Sequence, residues 1–233
     1  MKKIIKTSQG MYVYKFKPLY PGIKPIDKEI AKENLFLLRD LCYSHQVYFL
    51  LFFGTLLGAV REKDFIAHDE DIDLALLKED LPRFLELLFE LRRYGFEVVR
   101  YEERGFLSVI RKGEYIDLYF FDTYLPDSRY RYLARDIVFR EHVEEKEEVV
   151  FLDGSFYVPR DAVGFLASYY GDNWRTPVRD FDFNMSRLDR MKAYTIQYLK
   201  ALLPPAFLRH LQEKKDMPLI RERKRILDER KMK

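Results

Sequence analysis

Phe53 to Leu77 reads F-G-T-L-L-G-A-V-R-E-K-D-F-I-A-H-D-E-D-I-D-L-A-L-L, and this stretch decides the fold. Its first half follows an apolar run, Val47 to Phe53, whose aromatic and β-branched residues predict a buried strand. Gly54 directly after such a strand lets backbone approach a bound group closely. Thr55 is a candidate N-cap for a short helix reaching Arg61. Free N–H groups at a helix N-terminus attract phosphate, and Arg61 adds a planar fork of fixed positive charge. Gly54, Thr55 and Arg61 are therefore the candidate phosphate-binding residues.

The second half is Asp69-Glu70-Asp71-Ile72-Asp73 running into Leu74-Ala75-Leu76-Leu77. If Asp71 to Leu77 is a strand, alternation sets Asp71 and Asp73 on one face and Ile72 on the other. Two carboxylates so placed repel, and an unpaired buried charge is costly. A hard divalent cation removes both problems, since Mg²⁺ takes oxygen ligands and keeps positions open for substrate phosphates. Glu114 to Asp122 predicts another strand, with Asp117 inside its apolar run. A lone Asp in a buried strand needs a partner, and the same cation serves. Asp71, Asp73 and Asp117 are thus the candidate catalytic and metal-binding carboxylates, with Asp69 available for a second ion or to orient a ligand. Alone, D-x-D also suits a solvated turn at a strand start.

Composition sets limits. The chain has 233 residues, 48% hydrophobic and 34% charged, which implies a packed core under a charged shell rather than disorder. A net charge of +3 from 41 basic and 38 acidic residues argues against a general nucleic-acid binder. The single cysteine, Cys42, excludes an intramolecular disulfide and a Cys-based zinc site; its setting in L-R-D-L-C-Y predicts a small buried hydrophobe. The basic N-terminus lacks a following apolar h-region, and no apolar run nears the ~20 residues of a spanning helix, so a soluble, cytoplasmic protein is expected.

Along the chain, residues 1–25 read as an irregular arm with a short strand at Met11 to Phe16. Asp27 to His45 has helical spacing with Asp27 as cap. Glu79 to Tyr94 reads as an amphipathic helix stopped by Gly95. Phe96 to Tyr101, Phe106 to Arg111 and Tyr115 to Phe121 read as strands, the last two antiparallel about Lys112-Gly113. Tyr124 to Asp136 reads as a loop whose Arg129, Arg131 and Arg135 either reach a nucleotide phosphate or are simply solvated. Val149 to Val158 reads as a hairpin about Asp153-Gly154, and Pro159 to Tyr170 as a helix ended by Gly171. Residues 172–184 read as irregular and hold the only tryptophan, Trp174, which either stacks on a ligand or anchors the loop. Ser186 to Leu203 reads as a helix stopped by Pro204-Pro205. The basic tail, Phe207 to Lys233, either packs on the domain or makes peripheral membrane contact with an anionic surface. The fold class is α/β (α+β), a mixed sheet flanked by helices. The divisions are an arm (1–25), a domain that carries the motifs above (26–180) and a C-terminal helical extension (181–233).

A strand, Gly-Thr, a helix, Asp-x-Asp and a later Asp together resemble the nucleotidyltransferase superfamily, with its DNA polymerase β-like fold. More narrowly, G-T-L-L-G-A-V-R with D-F-I-A-H-D-E-D-I-D resembles the LicD/fukutin family of phosphotransferases. Tyr170-Gly171-Asp172-Asn173-Trp174-Arg175-Thr176-Pro177 is similar to a later segment of that family. The resemblance covers roughly residues 30–180. Ala67-His68 stands where the family usually has Pro-Trp, Asp64 where it often has Gly, and Glu70 is the second acid of its acidic run.

The resemblance implies an enzyme that moves phosphocholine or a phospho-alditol from a CDP-linked nucleotide donor to a glycan or other hydroxyl acceptor, with Mg²⁺ or Mn²⁺. Two ions roughly 3.5–4 Å apart suit such an in-line displacement. The alternative is nucleotidyl transfer from an NTP to a small molecule or protein. A non-enzymatic nucleotide- or glycan-binding module is a third reading, opposed by the presence of all three Asp. No nucleic-acid partner is expected.

Overall fold

A computed structural model describes residues 1–18, 24–177 and 186–231. The irregular readings at 19–23 and 178–184 lie outside the described residues. The first element is not an irregular arm. Strands β1 (Lys2–Thr7) and β2 (Gly10–Lys15) pair antiparallel about Ser8-Gln9. Alternation explains it: Tyr12 and Tyr14 are buried while Met11 and Val13 face out.

Helix α1 (Lys28–Ser44) starts where expected, the Asp27 carboxylate accepting the Ile30 N–H at 3.1 Å. The strand expected over 47–53 shrinks to β3 (Leu50–Leu51), because α2 (Phe53–Arg61) begins two residues later. Next come β4 (Ile72–Leu77), a single 3₁₀ turn (Lys78–Asp80), α3 (Leu81–Glu86) and α4 (Leu88–Arg93). The single helix expected over 79–94 is thus broken at Leu87, although its apolar face (Leu81, Phe84, Leu88, Leu91) is buried as the spacing requires.

Strands β5 (Glu97–Glu102), β6 (Phe106–Arg111) and β7 (Glu114–Thr123) fall as read, with β6 and β7 antiparallel about Lys112-Gly113. Both turn residues have positive φ, +52° and +90°, the two-residue turn that matches strand twist. The supposed loop 124–136 instead contributes β8 (Tyr130–Leu133) and leads into β9 (Asp136–Phe139), an antiparallel pair joined to the end of β7. After α5 (Glu141–Glu144), β10 (Lys146–Phe151) and β11 (Gly154–Pro159) form the expected hairpin. Its turn is Leu152-Asp153, one residue earlier than read, with Gly154 already paired to Phe151.

Helix α6 (Ala162–Tyr170) is capped by Asp161, which accepts the Gly164 N–H at 2.8 Å, and ended by Gly171 at φ +90°. Helices α7 (Arg187–Leu202) and α8 (Pro205–Lys231) complete the described chain.

The central sheet runs β10-β11-β3-β4-β7-β6-β5, with β8 and β9 branching from β7. Its middle pair, β4 and β7, is parallel; β6 beside β7 and β3 beside β4 are antiparallel, so the sheet is mixed. The core holds the buried rings Phe52, Phe121 and Phe165, and also Cys42, which burial leaves as the hydrophobe its setting predicted. Helix α8 lays Ile220 and Leu227 against Tyr130, Ile137 and Phe139, so the basic tail packs on the domain. Its Arg230 donates to the carbonyls of Ala167 (3.1 Å) and Ser168 (2.8 Å) at the end of α6, and Arg223 lies over the Tyr169 ring at 3.8 Å. Among the described residues, no helix is long and apolar enough to cross a membrane.

Candidate active site

The turn from β3 into α2 is built around Asp73. Phe52 N–H donates to the Asp73 carbonyl at 3.0 Å, and Gly54 N–H to Asp73 Oδ2 at 3.0 Å. Asp73 N–H in turn donates to Thr55 Oγ1 at 2.8 Å. Thr55 is therefore not a helix cap; the N-cap is Phe52, without a side-chain bond, and the Thr55 hydroxyl is spent on β4. Phe53 takes φ +38°, a left-handed conformation uncommon for a bulky residue and of the strained kind that gathers at functional sites. A Cβ on Gly54 would stand 2.5 Å from Asp69 Oδ2 and 3.3 Å from Asp73 Oδ2. Only glycine lets the carboxylates come this close to the helix start.

Register carries the site across the sheet. Asp73 on β4 pairs with Asp117 on β7, Asp117 with Ser108 on β6, and Ser108 with Arg100 on β5. Asp117 Oδ1 accepts from Ser108 Oγ at 2.5 Å and Oδ2 from the Arg100 guanidinium at 3.2 Å. Asp71 precedes β4 rather than lying within it, so its place beside Asp73 comes from the turn and not from strand alternation.

The electrostatics are those of surplus negative charge. Asp73 and Asp117 are 7% and 4% exposed. Burial pushes the carboxyls of Asp71 and Asp73 well above the ordinary range; for Asp71 the repulsion of Asp73, Asp117 and Asp69 adds to it, and for Asp73 that of Asp69 and Asp117. Burial first, then Glu70 and Glu62, raises Asp69 to about 6. Asp117 is raised by burial, against the pull of Arg100 and Ser108. Among the described residues, no Lys, Arg or His forms an ion pair with Asp69, Asp71 or Asp73.

These groups border a cavity of about 660 Å³. Of the residues named from the sequence, Gly54, Arg61, Asp69, Asp71 and Asp117 line it, while Asp73 and Thr55 lie just beneath. Arg61 is partly committed: it bonds Glu62 at 2.6 Å and the Trp174 carbonyl at 3.3 Å. Trp174 is only 5% exposed, so it anchors its loop while one side meets the cavity. Of the three loop arginines, Arg129 pairs with Asp127 and Arg131 with Glu79 and Glu144, whereas Arg135 lines the cavity. Sequence reading missed Arg100, Tyr115 and Tyr119. The tyrosines carried a signal, since they alternate with Asp117 in E-Y-I-D-L-Y; Arg100 carried none, because its place depends on a break in strand register.

The donor set is all hard oxygen, buried and short of positive charge, which suits a divalent cation. Among the described residues, no three His, Cys, Asp or Glu side chains are drawn tightly enough together to enclose an ion as they stand. Asp117 has both oxygens already engaged.

A mixed sheet, a Gly-Thr turn locked onto one Asp and a carboxylate trio spanning a parallel strand pair define the class, a nucleotidyltransferase domain. Residues 46–163 match the family described as LicD/FKTN/FKRP, nucleotidyltransferase domain, and the chain belongs to that family. It is 25% identical over 113 residues to the lipopolysaccharide cholinephosphotransferase LicD of Haemophilus influenzae, covering 48% of this chain and 42% of that protein. It is 23% identical over 179 residues to an uncharacterised protein of Rickettsia typhi, covering 74% and 55%. The chain thus spans about half the length of the curated relatives it matches. Among solved structures, a lincomycin-bound lincosamide adenylyltransferase, LnuA, aligns at TM-score 0.42 and 13% identity, covering 70% of this chain and 96% of that one. The resistance factor ANT(2'')-Ia aligns at 0.45 and 14%, covering 84% and 97%.

Proposed function

We propose that this protein is a metal-dependent transferase that moves a phosphoryl-linked group, phosphocholine or a phospho-alditol, from a CDP-type donor to a hydroxyl of a glycan or other acceptor. One observation carries the reading: Asp69 and Asp71 line one cavity next to the buried Asp73, beside the Asp73–Asp117 strand pair, and among the described residues no protein cation forms an ion pair with these three. In a LicD-family domain, such a surplus is what a bound Mg²⁺ or Mn²⁺ and a donor diphosphate would complete.

Asp71, Asp73 and Asp117 would hold the cation, with Asp69 beside them. When bound, the cation would supply Lewis-acid polarisation of a phosphoryl oxygen and offset charge built up in the displacement. Gly54 and Thr55 act by fixing Asp73. Arg61 and Arg135 offer positive charge to donor phosphates at the cavity wall. In the displacement the acceptor hydroxyl would bond to the transferred phosphorus as the bond to CMP breaks and CMP leaves, and an Asp at the cavity would take the hydroxyl's proton. Tyr115, Tyr119, Tyr170 and Trp174 form apolar walls that limit water.

The test is protection against thermal unfolding by CDP-choline, CDP-ribitol, CDP-glycerol, CTP, ATP, UTP and GTP, each with and without Mg²⁺ or Mn²⁺. Protection confined to a CDP-linked compound with metal is expected. Protection by an NTP alone would move the reading to nucleotidyl transfer. Protection by none would remove the donor class.

A further inference from the structure

Strand β5 contains one residue too many for its pairing with β6. Val98 stands opposite Val109 and Arg100 opposite Ser108, so Val99 is a bulge. In unbroken pairing Val99 would face Ser108, and Arg100 would fall on the opposite side of the sheet. The bulge therefore brings Arg100 to the side holding Ser108 and Asp117. It is propped from outside: the Val99 carbonyl accepts the Lys17 N–H at 3.1 Å. The Arg100 guanidinium rests on the Phe106 ring at 3.9 Å, donates to Ser108 Oγ at 3.3 Å and meets Asp117 Oδ2 at 3.2 Å, and Arg100 lines the cavity.

This arrangement sets up a competition. Ser108 occupies Asp117 Oδ1, so Oδ2 is the oxygen left to turn toward a cation, and Arg100 holds it. We propose that Arg100 is an exchangeable latch on Asp117, released when a divalent cation takes Oδ2 and then turned, on its Phe106 platform, to a phosphate oxygen of the nucleotide donor. The proposal rests on the metal-dependent reading above and adds a residue with two successive partners. A carboxylate waiting in a buried site without its cation needs a substitute counter-ion. The same guanidinium, once displaced, offers a planar fork to a diphosphate. Cation alone and Arg100 are then competitors, while donor and Arg100 are allies.

That sign difference is the test. Mn²⁺ alone is titrated calorimetrically into the wild type and R100Q, and CDP is then titrated at saturating Mn²⁺. The latch requires R100Q to bind Mn²⁺ about ten-fold more tightly and CDP about ten-fold more weakly, the scale of one lost charge-assisted contact. A purely structural role would weaken both. In a D117N background the tightening by R100Q must vanish; if it persists, Arg100 acts only through its long-range field and the latch is overturned. R100K, which keeps a cation but loses the fork, replaces R100Q should that variant not fold, with the same signs and smaller changes. Equal Mn²⁺ binding by wild type and variant overturns the latch and leaves the metal reading standing. No Mn²⁺ binding by either overturns both.

Discussion

The β4–β7 pair and the β8–β9 hairpin under α8 both bury charge, and they treat it oppositely. Under α8, Arg131 is 6% exposed and fully answered, by Glu79 at 2.7 Å and Glu144 at 2.6 Å. Nearby, hydrogen bonds from Arg129 to Asp127, and from Lys224 and Tyr130 to Asp228, hold both carboxyls below their ordinary range. At β4–β7, burial and mutual repulsion push Asp69, Asp71 and Asp73 above it. Among the described residues, one region has closed its charge balance; the other has not. On the function proposed above, balanced burial marks structure and unbalanced burial marks chemistry, in keeping with the clustering of perturbed carboxylates at active sites.

The sharpest way to break the contrast is substitution in each region. D73N or D71N should cut turnover by about 10³-fold, while the melting temperature holds or rises because repulsion is relieved. Steady-state product release and a thermal melt on the same samples check both halves. R131M should do the reverse. It removes the guanidinium shared by Glu79 and Glu144, although Glu144 keeps Arg140 at 2.6 Å, and costs about 1.5 kcal/mol in denaturant unfolding, with turnover per folded molecule unchanged.

Next comes pH. An acid whose folded-state value is raised gives up its proton reluctantly in the fold. For Asp69 the support for folding is complete below the unfolded value of 3.8 and is lost as pH rises to about 6. Asp71 and Asp73 shift the same way. Asp127 and Asp228 have the other sign, supporting the fold above their unfolded values and withdrawing that support as pH falls through the lowered ones. In chelator, the D71N/D73N double variant should therefore gain on the wild type by about 3 °C or more between pH 4.5 and 7.5. With millimolar Mg²⁺ the gain should disappear; a gain that is flat with pH would sink this account. The smallest effect belongs to Y130F. It removes the hydroxyl donated to Asp228 at 2.6 Å and should cost about 1 kcal/mol of stability without touching activity.

What the sequence made legible follows from how local each feature is. Asp27 and Gly171 were readable as caps because capping is settled within a few residues. Strands β5 to β7 were readable because their alternation is unbroken or nearly so. The acidic run and Asp117 stood out because carboxylates inside apolar runs demand an explanation. Strands β8 and β9 hid among arginines and tyrosines, since their burial comes from α8, about a hundred residues away. Phe53 hid within an apparent strand because its positive φ is imposed by the bonds to Asp73, not by its own preference. Arg100 depended on a one-residue bulge whose carbonyl is taken by Lys17, which no local pattern reports.

The brace at Arg230 also bears on the order in which this protein is made. The guanidinium that closes the end of α6, and the Arg223 that covers Tyr169 next to the cavity's Tyr170, sit in the last helix described. On a translating ribosome the sheet and its four carboxylates emerge first, and domains fold as their segments appear. The aromatic wall then waits for residues 223–230 before it is clamped. Synthesis itself thus sets an interval in which the acidic cluster is assembled while the end of α6 is not yet braced by α8.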